Sequence, residues 1–248
     1  MLAALEAVEA AVFDTDGVIT DSVGMHAAAW KTAFDSCLRE HPPAAPEQRR
    51  PFDQREDYLQ YVDGRSRIDG ATSFLASRGL RLPDATVQAV AAFKERLFTE
   101  RLREGGAEAY PGTVRVIHAL RLRGVRLAAA SASRHAGELL AGAGVLDLFE
   151  VLVDGGESAR LGLPGKPDPA LFLEAARRLG ATSGRTAVVE DALAGVEAGH
   201  RGGFGLVIGV DRTAAPDRAA ALLRHGADVV VRDLADLLDD GADDARDR

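Results

Sequence analysis

The chain has 248 residues, of which 46% are hydrophobic and 27% charged, a composition typical of a globular protein that can bury a full core. Its formal net charge of −8 argues against a nucleic-acid-binding surface, because phosphate backbones are bound by clustered Lys and Arg. The one cysteine, Cys37, excludes an internal disulfide, and neither a bilayer-spanning apolar run nor a basic N-terminal segment is present, so we expect a cytoplasmic protein without membrane contact.

The first predicted element is a short buried strand, because four apolar residues, Ala10–Phe13, end abruptly at Asp14. Helical spacing follows over Ser22–Glu40, and a proline-rich connection comes next. Further helices are predicted at Arg55–Val62, Arg67–Arg78 and Asp84–Glu104, the last with Asp84 as its N-cap.

From about residue 109 the pattern changes to strands that alternate with helices. Strands are predicted at Val125–Ser131, Val151–Asp154, Thr186–Glu190, Gly205–Val210 and Asp228–Val231. Helices are predicted at Pro111–Arg123, Arg134–Ala141, Pro167–Leu179, Ala192–Arg201, Thr213–His225 and Asp233–Leu238, with Pro167 in a first helical turn. Such alternation predicts an α/β fold with a doubly wound parallel sheet.

The two patterns together predict two domains. Residues 1–23 and 109–248 form the α/β core, residues 24–108 form an all-helical insert, and residues 239–248 form a flexible polar tail. An insert whose ends lie beside a candidate site is well placed to act as a lid.

The turn after the first strand carries two acids and a glycine, Asp14, Asp16 and Gly17. This can be an ordinary strand-end turn, in which Asp and Gly are common. In a parallel sheet, however, ligands bind beyond the carboxyl ends of the strands. Neighbouring carboxylates there persist if a cation joins them or if one keeps its proton, and Gly17 can aim backbone N–H groups at an anion.

Other predicted strand ends and loops bring further polar groups to the same edge of the sheet. Ser131 follows one strand, Lys166 precedes a helix, and Glu190 with Asp191 ends another strand. Each alone has an ordinary explanation, as a helix cap or a solvated lysine. Together they supply a carboxylate nucleophile, a second acid, Mg²⁺ ligands, a hydroxyl and a cation, which is the inventory for phosphoryl transfer.

Four short motifs, in order, resemble those of the haloacid-dehalogenase-like phosphotransferases: DTDG at 14–17, SAS at 131–133, GKP at 165–167 and ED at 190–191. Within that superfamily, FDTDGVITDSVGMHAAAW, the helical insert and VEDALAGVEAG resemble the β-phosphoglucomutase family. The resemblance implies a Rossmann-like core, an α-helical cap, and a Mg²⁺-dependent aspartyl-phosphate mechanism acting on a small phosphorylated sugar. We also expect a monomer.

The resemblance implies roles for the acids. Asp14 would be the nucleophile, and Asp16 would protonate the leaving oxygen and later deprotonate the acceptor. Mg²⁺ would be held by Asp14, Asp191, the backbone carbonyl of Asp16 and, directly or through water, Glu190.

It also implies a phosphoryl-binding set. Lys166 and Ser131 would bind the transferring phosphoryl oxygens, helped by backbone N–H groups around Gly17 and Ala132. The Glu190-Asp191 pair would keep Asp14 and Lys166 from pairing unproductively.

In the cap, Arg67 matches the family's arginine for a distal phosphate, and Arg65 lies two residues before it. The alternative for both is a solvated basic turn. His26 matches a histidine that couples cap closure to Asp16, and Ser22 lies at the hinge. We expect Trp30 to belong to the cap core.

Three positions depart from the family pattern. Asp63 stands where some mutases have a cap lysine, which removes a positive charge from the distal-phosphate site and weakens a mutase assignment. Ala192 replaces a frequent serine. Thr15 replaces a leucine at a position expected to point away from the site.

Three functions remain open on the sequence. The first is a mutase that converts β-glucose 1-phosphate to glucose 6-phosphate through a bisphosphate. The second is a phosphatase of a sugar phosphate or another small phosphoester, in which water attacks the same intermediate. The third is a binding module that senses a phosphometabolite without turnover.

Overall fold

A computed structural model of the protein describes residues 5, 7–213, 215 and 217–238. The tail predicted at 239–248 lies outside the described residues. Within the described part, no helix combines the length and the apolarity needed to cross a bilayer.

The centre of the fold is a six-stranded parallel sheet with the order β3-β2-β1-β4-β5-β6. The strands are β1 (Ala10–Phe13), β2 (Arg126–Ala130), β3 (Val151–Val153), β4 (Thr186–Glu190), β5 (Leu206–Val210) and β6 (Val229–Val231). Phe13 at the end of β1 pairs with Ala129 of β2 and Val189 of β4. Because the strand order reverses beside β1, a crevice opens beyond its carboxyl end.

The sheet is buried on both faces, as expected for parallel strands that read as continuous apolar runs. Ala11 and Phe13 pack into the cluster on one face, whereas Ala10 and Val12 pack into the cluster on the other. This alternation follows from the two-residue period of a strand. The predicted α/β fold class is confirmed.

In the described part of the core there are six α-helices: α4 (Pro111–Leu122), α5 (Ala136–Gly142), α6 (Gly155–Leu161), α7 (Ala170–Arg178), α8 (Leu193–Arg201) and α9 (Arg218–Arg224). All of them except α6 contribute buried side chains. The prediction that Pro167 lies in the first turn of a helix is wrong. Helix α7 begins three residues later, where the Asp168 carboxylate accepts a hydrogen bond from the Ala170 N–H at 2.9 Å.

The segment between β1 and β2 is helical, as predicted, and contains α1 (Val23–Glu40), a π-helical turn at Tyr58–Val62, α2 (Arg67–Ser77) and α3 (Asp84–Gly105). Asp84 is the first residue of α3 and not its N-cap, which is Pro83. This cap has its own aromatic core, in which Trp30 is buried and stacks on Phe34 at 4.6 Å between ring centroids.

The two connections between cap and core lie side by side. Thr20 and Ala109 form an antiparallel bridge. The Asp21 N–H donates to the Glu108 carbonyl, and the Tyr110 N–H donates to the Ile19 carbonyl, each at 2.9 Å. The cap therefore begins and ends next to the acids that follow β1.

Candidate active site

A cavity of about 50 Å³ lies between the cap and the carboxyl ends of the strands. The core contributes Asp14, Asp16, Ser131, Ala132, Ser133 and Asp191, and the cap contributes His26, Trp30, Tyr58, Val62, Asp63, Gly64, Arg65, Arg67, Lys94 and Glu95. Pockets that hold small ligands usually measure about 300–1,000 Å³. The cap is thus closed on the core, and a ligand of that size could enter only if the cap moved.

Asp14 directly follows β1 and extends its pairing, because its N–H donates to the Val189 carbonyl at 2.9 Å. The Lys166 ammonium donates to Asp14 Oδ1 at 2.5 Å and to Glu190 Oε2 at 2.7 Å. The prediction that Glu190 and Asp191 keep Asp14 and Lys166 apart is therefore wrong. Lys166 is buried, and the two carboxylates compensate for the loss of hydration of its ammonium.

Asp14, Glu190 and Asp191 place carboxylate oxygens within 4.8 Å of one another. Carboxylate oxygens are the donors that Mg²⁺ prefers. Three carboxylates around the one ammonium of Lys166 leave two negative charges in excess, and a divalent cation would balance them. The donor set therefore fits Mg²⁺. The carboxylate of Asp16 lies outside this cluster, and its predicted contribution through a backbone carbonyl stays a prediction.

The excess negative charge affects the pKa values of two of these acids, Asp14 and Asp191. Burial, with Glu190 nearby, raises the pKa of Asp14 well above its usual range. Burial, with the carboxylates of Asp63 and Glu190, does the same to the pKa of Asp191. A divalent cation among them would reverse the direction of both shifts.

Gly17 is required by its backbone and by its surroundings. Its φ of +80° lies in the left-handed region, and a Cβ at this position would be 2.0 Å from Asp191 Oδ2. The turn after β1 thus packs directly on a predicted metal ligand, and only glycine allows this approach.

Asp16 is held by three side chains. Ser22 Oγ donates to its Oδ1 at 2.5 Å, His26 Nε2 lies 3.0 Å from the same oxygen, and Ser131 Oγ donates to Oδ2 at 3.3 Å. Lys94 Nζ lies 2.9 Å from His26 Nδ1. Because an ammonium can only donate, Nδ1 accepts, and the ring proton resides on Nε2 and is donated to Asp16.

These contacts decide the charge states of the chain from Lys94 to Asp16. Burial alone would raise the pKa of Asp16, but the His26 ring and the Ser22 hydroxyl outweigh it, so the pKa of Asp16 lies below its usual value. Burial and the Lys94 ammonium lower the pKa of His26. Burial lowers the pKa of Lys94 to about 8. With the cap closed, Asp16 is therefore a carboxylate that is ready to accept a proton.

The predicted phosphoryl-binding residues are near these acids. The Ser131 hydroxyl accepts a hydrogen bond from the Ser133 N–H at 3.0 Å while donating to Asp16, and Ala132 lines the cavity. Lys166 donates directly to Asp14. Gly17, Ser131, Ala132 and Lys166 thus all lie close to the nucleophile candidate.

Arg67 and Arg65 line the cavity from the cap, as predicted. Arg67 Nη1 pairs with Glu95 Oε1 at 3.0 Å, and the same oxygen lies 3.1 Å from Nε2 of His135 in the core. Burial raises the pKa of Glu95, but the His135 and Arg67 contacts outweigh it and hold that pKa at about 2. Glu95 therefore links the cap arginine to the core.

Lys94, Glu95 and His135 are the site residues that the sequence reasoning missed. Lys94 and Glu95 lie in the middle of α3, 68 or more residues after His26, and no motif marks them. His135 lies two residues after the SAS motif, which is the one signal that could have drawn attention to it.

The departure at Asp63 has a structural explanation. Arg218 of the core pairs with Asp63 at 2.9 Å, so the acid is not an unbalanced charge in the cavity. Burial raises the pKa of Asp63 to about 6 even though Arg218 opposes this shift. A Cβ on Gly64 would lie 2.7 Å from the Ala192 Cβ, so the close approach requires glycine at position 64, whereas nothing in the structure explains alanine in place of serine at position 192.

The haloacid dehalogenase-like hydrolase profile matches residues 8–203. A β-phosphoglucomutase of Mycobacterium bovis is 42% identical over 242 residues, which cover 94% of this chain and 92% of that protein. A β-phosphoglucomutase of Bacillus subtilis is 31% identical, with 92% of this chain and 91% of that protein covered. The crystal structure of a hydrolase from Pseudomonas syringae superposes with a TM-score of 0.76 at 26% identity, covering 93% of this chain and 96% of that one. The chain therefore belongs to the haloacid dehalogenase-like hydrolase family and is a homologue of the β-phosphoglucomutases.

Proposed function

We propose that this protein is a Mg²⁺-dependent phosphomutase that converts β-glucose 1-phosphate to glucose 6-phosphate through a bound bisphosphate. The observation that carries the proposal is the placement of Asp14 between Lys166 and the Glu190-Asp191 pair, beneath a closed cap. The 42% identity to a named β-phosphoglucomutase over 94% of the chain supports the choice of reaction.

In the proposed reaction, an Asp14 oxygen attacks phosphorus, the bond from phosphorus to the sugar oxygen breaks, and an aspartyl-phosphate forms. Asp16, a carboxylate in the resting protein, takes the proton of the sugar hydroxyl that attacks the aspartyl-phosphate, and it returns a proton to the leaving oxygen when the phosphoryl group next passes back to Asp14. The hydrogen bonds from Ser22 and His26 keep the carboxylate in place for both steps.

Charge neutralisation is the main contribution of the surrounding groups, because the transition state spreads negative charge over three equatorial oxygens. Lys166, Ser131 and the backbone N–H groups near Gly17 and Ala132 would bind those oxygens. Asp14, Glu190 and Asp191 would hold Mg²⁺, which supplies further positive charge when bound.

The cap would select the substrate. We infer that Arg67, with Arg65 nearby, binds the phosphate that is not being transferred, because a guanidinium fork matches phosphate oxygens. We take residues 24–108 as this cap and residues 1–23 and 109–248 as the core. The substrate class is a small phosphorylated sugar.

A phosphatase is the second candidate, and the family description as a hydrolase favours it. Both functions use Asp14 in the first half of the reaction. They differ in the second half, where a phosphatase lets water attack the aspartyl-phosphate.

The test is to incubate the purified protein with Mg²⁺, β-glucose 1-phosphate and a trace of glucose 1,6-bisphosphate, and to assay glucose 6-phosphate and inorganic phosphate together. Glucose 6-phosphate should be the main product, and Asp14→Asn should abolish it. Inorganic phosphate without glucose 6-phosphate would contradict the mutase and support the phosphatase. Phosphotransfer that survives Asp14→Asn would contradict both.

A further inference from the structure

One buried ion pair joins the cap to the core beside the acidic cluster. Asp63 follows the π-helical turn of the cap, and Arg218 is the first residue of α9 in the core. Arg218 Nη2 donates to Asp63 Oδ2 at 2.9 Å, and their side chains are 8% and 7% exposed. The pair therefore holds the cap against the core in this closed arrangement.

The backbone around this pair is packed against the same part of the core. Gly64 has a φ of +70°, and a Cβ there would lie 2.7 Å from the Ala192 Cβ and 3.8 Å from the Gly195 N. Arg218 Nη2 also donates to the Asp191 carbonyl at 2.7 Å. The Asp63–Gly64 turn thus lies directly on the loop that carries Asp191.

Opening the cap would separate the two charges. A buried charge that loses its partner is strongly unfavourable unless water reaches it, so Asp63 and Arg218 must be hydrated when they part. The pair therefore holds the cap against the core on the Asp191 side of the cavity, and we call the Asp63–Arg218 pair the latch. His26 with Asp16, and Glu95 with His135, make the cap-to-core contacts elsewhere around it.

We propose that the Asp63–Arg218 pair determines which acceptor attacks the aspartyl-phosphate, by keeping the cap closed against water while Asp14 carries the phosphoryl group. This inference rests on the proposed mutase function. When water attacks, an O–P bond to water forms, the bond from phosphorus to Asp14 breaks, a proton passes to Asp16, and inorganic phosphate leaves. When the sugar attacks, its hydroxyl takes the place of water and the phosphosugar stays.

The pair accounts for the departure at Asp63. The acid in the cap is matched by an arginine in the core. Arg218 also touches the Asp191 backbone, whereas Asp63 does not. For this reason Asp63 is the cleaner position for a test, and Arg218 is a positioning residue whose replacement can also affect Mg²⁺.

The test measures the ratio of inorganic phosphate to glucose 6-phosphate formed from β-glucose 1-phosphate. Asp63→Asn, which keeps size and shape, should raise this ratio about tenfold, with the Mg²⁺ dependence unchanged. Arg218→Gln should raise it similarly, and the double variant should exceed neither single variant by much, because each change breaks the same contact. Glu197→Gln, which breaks an exposed pair with Arg201 on α8, is the matched control and should leave the ratio unchanged.

The outcomes separate the two proposals. A wild-type protein that forms no glucose 6-phosphate would overturn the mutase function. A wild-type protein that forms glucose 6-phosphate, with Asp63→Asn and Arg218→Gln folded and at the wild-type ratio, would overturn the latch alone. Circular dichroism and thermal unfolding establish folding of each variant, and Arg218→Lys serves as the conservative replacement that should partly restore the ratio.

Discussion

The charge of Lys166 is stabilised by the acids beside it. Burial alone would lower its pKa, but Asp14 and Glu190 outweigh this effect, so the pKa of Lys166 is raised above its usual value. Its ammonium also lies 4.7 Å from the centre of the Phe172 ring. The lysine therefore remains charged across the pH range of activity, and it holds two acids that would otherwise repel each other.

Replacement of Lys166 by methionine should remove this charge while keeping most of the side-chain volume. We expect kcat to fall by about a thousandfold or more, and the free energy of unfolding to drop by about 3–5 kcal/mol, because buried carboxylates lose their partner. Steady-state kinetics and urea unfolding measure the two effects. Lys31→Met removes an exposed lysine paired with Asp35 and should change stability by no more than about 1 kcal/mol. Equal effects of both changes would contradict the assigned role.

The titration of Lys94 predicts that kcat declines at alkaline pH. Its pKa of about 8 means that the ammonium loses its proton as the pH rises through this value, and His26 Nδ1 then faces a neutral amine that can accept as well as donate. The tautomer that donates to Asp16 is no longer enforced, so kcat should decline above about pH 8.

The pH profile of Lys94→Arg tests this cause, because arginine stays protonated to a much higher pH. If the variant is active, the alkaline limb of its kcat profile should move upward by more than one pH unit. Lys94→Gln should lose the limb altogether, together with about ten- to a hundredfold in kcat. An unchanged limb in both variants would assign it to another group.

At the scale of elements, the turn between β1 and α1 depends on Gly17. Gly17→Ala places a methyl group against Asp191 and forces a left-handed φ on a residue with a side chain. We expect Mg²⁺ affinity, measured by titration calorimetry, to fall at least tenfold. Gly24→Ala is the matched control, because no atom lies within 4 Å of a Cβ in this position of α1, and it should stabilise the helix by about 0.5–1 kcal/mol. Equal Mg²⁺ affinities in the two variants would refute this reasoning.

The elements that sequence patterns predicted correctly are those with one dominant signal. β1 and β4 are continuous apolar runs, and the observed Ala10–Phe13 and Thr186–Glu190 coincide with the predicted strands. Helix α6, by contrast, was missed, because its first two residues are glycines and its stability comes from Asp154, whose carboxylate accepts from the Gly156 and Glu157 N–H groups.

The residues of the site also differ in whether the sequence could predict their contacts. Its core acids follow strands, and the topology of a parallel sheet brings strand ends together, so Asp14 and Asp191 could be placed from the sequence. The partners of His26 and Asp63 could not. Lys94 and Arg218 lie 68 and 155 residues away in the chain; the first contact depends on how α3 packs on α1 within the cap, and the second on how the cap rests on the core.

At the scale of the whole molecule, the acidic cluster that would bind Mg²⁺ lowers the stability of the metal-free protein. Burial and neighbouring carboxylates raise the pKa of Asp14 and Asp191, so their ionised forms are less favourable in the folded chain than in the unfolded chain. The stability of the metal-free protein is therefore full below the ordinary pKa of an aspartate and declines as the pH rises through the raised values.

Asp191→Asn should show directly how much one of these carboxylates lowers the stability of the metal-free protein. Without Mg²⁺, the variant should be more stable than the wild type at pH 7 by about 1–3 kcal/mol, because one uncompensated charge is gone. Millimolar Mg²⁺ should raise the Tm of the wild type, since it binds only the folded chain, and should have little effect on the variant. Thermal unfolding with Mg²⁺ and with EDTA provides the comparison. A wild type whose Tm ignores Mg²⁺ would contradict the metal assignment.

The bridge between Thr20 and Ala109 has an evolutionary and practical consequence. Paired strands are separated by about 5 Å, so the points where the helical segment leaves and re-enters the sheet domain are adjacent. The helical segment could therefore be replaced as a unit. A short turn joining these two positions would close the remaining chain without moving a strand. Different helical segments could therefore be joined to the same sheet domain and its acids, so that a change of substrate would not require a change in the sheet.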